Sequence, residues 1–221
     1  MIARELITHG IPVLTLSDSV IHAINKMKHS MITHIPVIHQ DEFLGVVSYH
    51  DCLKIGDPEL PISSAQLNLE QVSIAENEHI FAAIREFAST NIDILPVVDS
   101  DKHLLGSIVA KNLMPHFARM IAADSPGGVI VLEINANDYN LAEIAQIVQS
   151  NDAKILSVTL GSALDMQKMD VTIKVNRIEI GPILQTLFRF NYLIKFSWST
   201  EDAYHEGLHE RFDALMNYLN I

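Results

Sequence analysis

The chain has 221 residues, 48% of them apolar, and carries 15 basic against 27 acidic side chains for a formal net charge of −12. That length holds two or three small domains with compact cores. The acidity is even, with 8 basic and 14 acidic side chains over residues 1–121 and 7 and 13 over 122–221, so no basic surface is set aside for a nucleic-acid backbone. No apolar run reaches the ~18 residues of a membrane span. The opening Met1-Ile2-Ala3-Arg4-Glu5-Leu6 lacks the long apolar core of a signal peptide, and the single Cys52 excludes an intramolecular disulfide. A cytoplasmic protein without membrane or nucleic-acid partners is expected.

The order of elements begins with a short opening helix over residues 3–8, closed by Gly10. Ile11 to Leu16 reads as a strand, with Pro12 placing it near an edge. Val20, Ile24, Met27 and Met31 then follow helical spacing, and Ser17 is a good N-cap. His34 to Ile38 and Glu42 to Ser48 form a hairpin through Gln40-Asp41, and residues 49–55 form a short helix. Gly56-Asp57-Pro58 and Pro61-Ile62-Ser63-Ser64 break the chain.

The same grammar then returns. Ile35-Pro36-Val37-Ile38 followed by Gly45-Val46-Val47 is matched by Leu95-Pro96-Val97-Val98 followed by Gly106-Ser107-Ile108-Val109. Ser17, Val20, Ala23, Ile24 and Met27 are matched by Asn77, Ile80, Ala83, Ile84 and Phe87. Such self-similarity marks a repeated supersecondary unit. In the first copy, Gly45-Val46-Val47-Ser48-Tyr49-His50-Asp51 is a strand that turns directly into a helix, with Ser48 as N-cap and Asp51 at the third helical position. Unpaired N–H groups at such a corner face outward and suit a phosphate, and a carboxylate beside them can accept two hydrogen bonds from a ribose diol. The second copy has Val109 for Ser48 and Asn112 for Asp51, so one competent and one degenerate corner are expected.

The hydrophobic-Pro-Val strand and the Gly-x-x-Ser-x-x-Asp corner resemble the CBS domain, and two in tandem resemble a Bateman module over about residues 1–120. The resemblance implies repeats at 1–60 and 61–122, each β-α-β-β-α, and an adenosyl ligand such as AMP, ADP, ATP or S-adenosylmethionine, sometimes NAD. Carried onto this chain, Asp51 holds the ribose and Ser48 the phosphate, with Gly45 and Tyr49 in the same corner and His50 a cation near phosphate. One repeat's corner usually closes against the other repeat. Adenine contacts would then come from Ile74, Ile92 and Asp93, with Thr33 and His34 beside the corner.

Ser125-Pro126-Gly127-Gly128 marks the next boundary. Val129 to Ile134, Ile155 to Leu160, Val171 to Val175 and Tyr192 to Trp198 read as strands, and Leu141 to Val148 and Ile180 to Phe190 as helices. This βαββαβ order is ferredoxin-like and resembles an ACT domain over 127–199. The turn after its first strand, Asn135-Ala136-Asn137-Asp138-Tyr139-Asn140, lacks the glycine with which ACT domains admit an amino acid, so a structural or dimerising role is expected. Residues 200–221 read as an amphipathic tail helix with Leu208, Phe212, Leu215 and Leu219 in one stripe.

His205-Glu206-Gly207-Leu208-His209 fits the zinc-hydrolase pattern, but Gly207 weakens the helix and no further histidine follows as a third ligand. The remaining histidines have no compact ligand spacing. The expectation is an α+β, non-catalytic, homodimeric regulator with no required cofactor, whose paired repeats sense an adenosine nucleotide or S-adenosylmethionine. Tandem CBS followed by ACT also resembles bacterial acetoin-utilisation accessory proteins. The alternatives are an interaction scaffold without ligand and a zinc hydrolase.

Overall fold

The computed structural model describes residues 1–162 and 167–199. Two compact units divide the chain, one covering residues 1–115 and the other beginning at His116. The tail helix and the His205–His209 stretch lie outside the described residues. Among the described residues no helix is long and apolar enough to cross a membrane.

The first unit contains the repeats. In the first copy, β1 (Leu14–Thr15), α1 (Val20–Ser30), β2 (His34–His39), β3 (Glu42–Ser48) and α2 (Tyr49–Leu53) follow in order, and the sheet runs β1-β2-β3 with β1 parallel to β2 and at the edge. In the second, β4 (Ile74–Ala75), α3 (Ile80–Ser89), β5 (Ile94–Val98), β6 (Leu104–Val109) and α4 (Ala110–Met120) build an equivalent sheet, β4-β5-β6. The Gln40-Asp41 turn has positive φ at both residues, 49° and 73°, the geometry of a two-residue hairpin. The helix caps fall two residues later than the sequence suggests. Ser19 and His79 accept from His22 N–H and Phe81 N–H, because Asp18 first closes a turn on the Thr15 N–H and Ser17 hydrogen-bonds Thr15. The opening helix is a single 3-10 turn, Ala3–Leu6.

Each repeat is completed by the segment that precedes the other. Ala3 and Leu6 are buried in the core of the second repeat, Arg4 pairs with Glu76 at 2.8 Å, and Thr8 bridges Ser107. The linker residues Ile62 and Ala65 are buried in the core of the first repeat, and Glu70 bridges Val46. The first ten residues, read in the sequence as the lead into the first repeat, therefore pack on the second. Phe43, Val46 and Val98 form a small shared cluster.

In the second unit, β7 (Val129–Asn135), α5 (Leu141–Gln149), β8 (Ile155–Ser162), β9 (Lys168–Val175), α6 (Gly181–Arg189) and β10 (Leu193–Trp198) give an antiparallel sheet in the order β10-β7-β9-β8. This fourth-first-third-second order is the ferredoxin-like arrangement. Ile130, Leu132, Ile134, Val171, Ile173 and Val175 alternate into its core, against Ile144, Val148, Ile183 and Leu187 of the helices. Simple alternation puts Ile194, Phe196 and Trp198 on one face, but a bulge between Ile194 and Phe196 shifts the register. Phe196 and Trp198 then pair with Val131 and Val129, stay about half exposed at 54% and 53%, and stack at 5.7 Å between ring centroids.

Candidate functional site

The first corner has the expected backbone. β3 ends at Ser48, which is extended (φ −90°, ψ 147°), and α2 starts at Tyr49. The Ser48 Oγ accepts the Asp51 N–H at 3.0 Å and donates to the Asp51 Oδ2 at 2.8 Å. Lys54 Nζ lies 2.7 Å from the other carboxylate oxygen, Oδ1. The Lys54 and Ser48 hydrogen bonds hold the Asp51 carboxyl below its ordinary pKa, so it is a carboxylate at neutral pH. Ser48 and Asp51 are both partly exposed. The corner thus presents a hydroxyl, an ionised carboxylate and an ammonium to solvent.

Lys54 was not singled out in the sequence, although its place three residues after Asp51 on a short helix was a usable signal. Tyr49 is half-buried, packs on the core of the first repeat and has Lys28 Nζ 5.9 Å from its ring centroid. His50 is exposed. Two lysines and a histidine therefore sit around one corner of a strongly acidic chain.

Several expected ligand contacts also have partners within the protein. Ile74 and Ile92 are 3% and 6% exposed and belong to the apolar core of the second repeat, beside Ile80, Leu95 and Leu113. Asp93, expected to meet an adenine amino group, has both oxygens engaged by protein: Oδ2 accepts the Thr33 N–H at 2.6 Å, and Oδ1 is 2.9 Å from His34 Nδ1. Burial alone would raise the Asp93 pKa, but the His34 and Thr33 hydrogen bonds outweigh it and bring it below the ordinary value. His34 is itself buried and also meets Thr33 Oγ1 at 2.9 Å. Gly45 has φ +142°, and a Cβ there would lie 2.8 Å from Leu69 Cβ and 3.1 Å from the Glu70 carbonyl. Glycine at that position admits the linker to β3.

The second corner keeps the backbone and loses the chemistry. Val109 is 4% exposed and packs with Ile94 in the same cluster as Leu14, Met27 and Ile35. Asn112 donates to Thr8 Oγ1 at 3.1 Å. A cavity of about 250 Å³ lies between residues 7–13 and β6, and one of about 340 Å³ lies beside the turn after β7. Neither includes Ser48 or Asp51. Around the second cavity, Lys168 meets Glu133 at 2.5 Å, the Tyr192 hydroxyl donates to Glu143 at 2.6 Å, and Asn135 donates to Asp138 at 2.8 Å. Burial, reinforced by Glu143, pushes the Tyr192 hydroxyl pKa up.

Paired β-α-β-β-α repeats that share a core, each ending in a strand-to-helix corner, define a class of small tandem-repeat modules. Residues 3–57 and 67–119 match the CBS domain, and the chain carries two CBS domains in tandem. The inosine-5'-monophosphate dehydrogenase of Methanocaldococcus jannaschii is 23% identical over 149 residues, which are 67% of this chain and only 30% of that enzyme. Among solved structures, a CBS domain pair/ACT domain protein from Thermotoga maritima is 22% identical with a TM-score of 0.49, covering 53% of this chain and 96% of that one. A Vibrio cholerae protein assigned to acetoin utilization is 19% identical with a TM-score of 0.48, covering 56% and 95%. CBSX2, solved in complex with AMP, is 23% identical with a TM-score of 0.46, covering 52% and 95%.

Proposed function

We propose that the first corner binds an adenosine nucleotide and that the chain is a non-catalytic sensor. Asp51 takes the ribose diol and the Ser48 hydroxyl takes a phosphate oxygen. The observation that carries this reading is the Ser48–Asp51–Lys54 group, an ionised carboxylate and a hydroxyl left partly open at the strand-to-helix corner of a CBS repeat. Lys54, Lys28 and His50 favour a phosphate-bearing ligand over the cationic S-adenosylmethionine. The ligand's effect would be a shift between arrangements of the module, with the ligand binding one of them better.

Domain limits of 1–60, 61–122 and 127–199 belong to the same reading. A homodimer belongs to the same reading. An ACT-like role for residues 127–199 without amino-acid binding is supported by the turn after β7, where Asn140 caps α5 and Asp138 is bound by Asn135.

A ligand-free scaffold is the second reading. It is favoured by the fact that Asp51 already has protein partners on both oxygens. Isothermal titration with AMP, ADP, ATP and S-adenosylmethionine separates the two. Heat with a nucleotide that disappears in Asp51→Ala supports the sensor, and no heat with any of the four leaves the scaffold.

A further inference from the structure

Thr33 and Asp93 occupy equivalent positions, 60 residues apart, each just before the Pro-bearing strand of its repeat. Each accepts, through its backbone carbonyl, the N–H of the first residue of its own corner helix: Tyr49 N to Thr33 O at 2.7 Å and Ala110 N to Asp93 O at 3.0 Å. The two positions are also bonded to one another, because the Asp93 carboxylate takes the Thr33 N–H at 2.6 Å and meets His34 Nδ1 at 2.9 Å. An unbroken run of hydrogen bonds therefore joins the first turn of α2 to the first turn of α4. It crosses between the repeats at one side chain.

The link is asymmetric. The equivalent of Asp93 in the first repeat is a threonine, and the equivalent of His34 in the second is Ile94, buried in an apolar cluster. No mirror-image bridge accompanies it among the described residues. Charged hydrogen bonds of this length are the strong kind, and a two-point grip fixes orientation as well as distance.

We propose that Asp93 is a positioning residue that makes the two corner helices respond together, so that a change at the polar corner is felt by α4. The arrangement has a functional reason. The first corner holds the polar groups but α2 is a short helix, Tyr49–Leu53. The second corner has lost its polar groups but begins α4, Ala110–Met120, the helix by which the chain leaves the paired repeats. A tie between the corners gives a ligand held at one of them a route to the other. The coupling itself is independent of the sensor reading, and only the ligand arm of the test rests on that reading.

Hydrogen exchange on the full chain, followed by mass spectrometry, tests this in wild type, Ser48→Ala, Asp93→Ala and the double variant. Removing the Ser48 cap should speed exchange over residues 49–53 by about fivefold in either background. It should also speed exchange over 110–113, at least about twofold, where Asp93 is intact, and leave that segment unchanged in Asp93→Ala, which removes both acceptors of the link. His34→Gln keeps the Thr33 grip and should give a reduced response at 110–113, a check that does not need the Asp93 variant to fold. The proposal is overturned if Ser48→Ala leaves 110–113 unmoved in the Asp93-bearing chain, or moves it equally in Asp93→Ala. In the ligand arm, saturating AMP should protect 48–53 in both proteins and 110–113 in wild type alone. AMP that protects nothing would sink the sensor reading while the variants still decide the coupling.

Discussion

The two corners have the same backbone and opposite chemistry. In the first, the cross-strand pair that closes the hairpin against the helix is His34 opposite Ser48; in the second it is Ile94 opposite Val109. His34 holds Thr33 and Asp93 in one polar set, and Ser48 holds Asp51 in another. Ile94 and Val109 instead join the cluster of Leu14, Val20, Met27 and Ile35, the core of the first repeat. A β-strand needs only alternation and a cross-strand partner, which either pair supplies. Fold and site are thus specified by different residues, and one repeat can lose its polar groups without losing its shape.

The largest expected effect falls on the polar side. Asp51→Ala should weaken AMP binding by about 10- to 100-fold, the scale of losing charged hydrogen bonds to a diol, while Asn112→Ala leaves affinity unchanged; titration calorimetry on both variants reads this directly. Equal losses would erase the distinction between the corners.

The scaffolding comes next. Gly45→Ala places a Cβ against Leu69 Cβ and the Glu70 carbonyl at a φ of +142° and should destabilise by about 2 kcal/mol in urea unfolding. Gly106→Ala, at φ +153°, places a Cβ 2.5 Å from Ile7 Cγ2 on a stiff β-branched side chain and should destabilise by a similar amount.

A smaller effect would sharpen the comparison by reversing it. Val109→Ser with Asn112→Asp rebuilds the cap and carboxylate on α4. The cap itself should contribute about 1 kcal/mol, offset by the apolar burial lost at residue 109. A second nucleotide equivalent in the calorimeter is the expected outcome.

The pH dependence is finer still. The Asp93 and Asp51 carboxyls are below their ordinary pKa in the folded chain, so the unfolded chain binds more protons and stability rises with pH through this range. Their contribution is present above the ordinary carboxyl value of 3.8 and is lost as pH falls through the folded values. Asp93→Asn should flatten that acid limb in a series of melting curves. Arg4→Ala, which breaks an exposed pair with Glu76, should shift stability by no more than about 0.5 kcal/mol.

Much of this molecule was legible as text. The spacing of Pro36 and Pro96 and of Gly45 and Gly106 gave the repeat, because each repeat must make the same turns with the same residues. Ser48 as cap and Asp51 within its reach followed from local hydrogen bonding, which acts over three residues and needs no distant partner. Alternation and helical spacing placed the strands and helices of the second unit. The loss of the hydroxyl and the carboxylate at the second corner was visible in Val109 and Asn112.

What the amino-acid order determined by itself is therefore everything decided by neighbours along the chain. Only the tertiary structure decided that the first ten residues complete the second repeat, that Ile74 and Ile92 lie in a core, that a bulge turns Phe196 and Trp198 outward, and that Asp93 spends its carboxylate on Thr33 and His34. Each of those depends on which distant group arrives beside a side chain, and a carboxylate accepts a backbone N–H from across a fold as readily as one from a ligand.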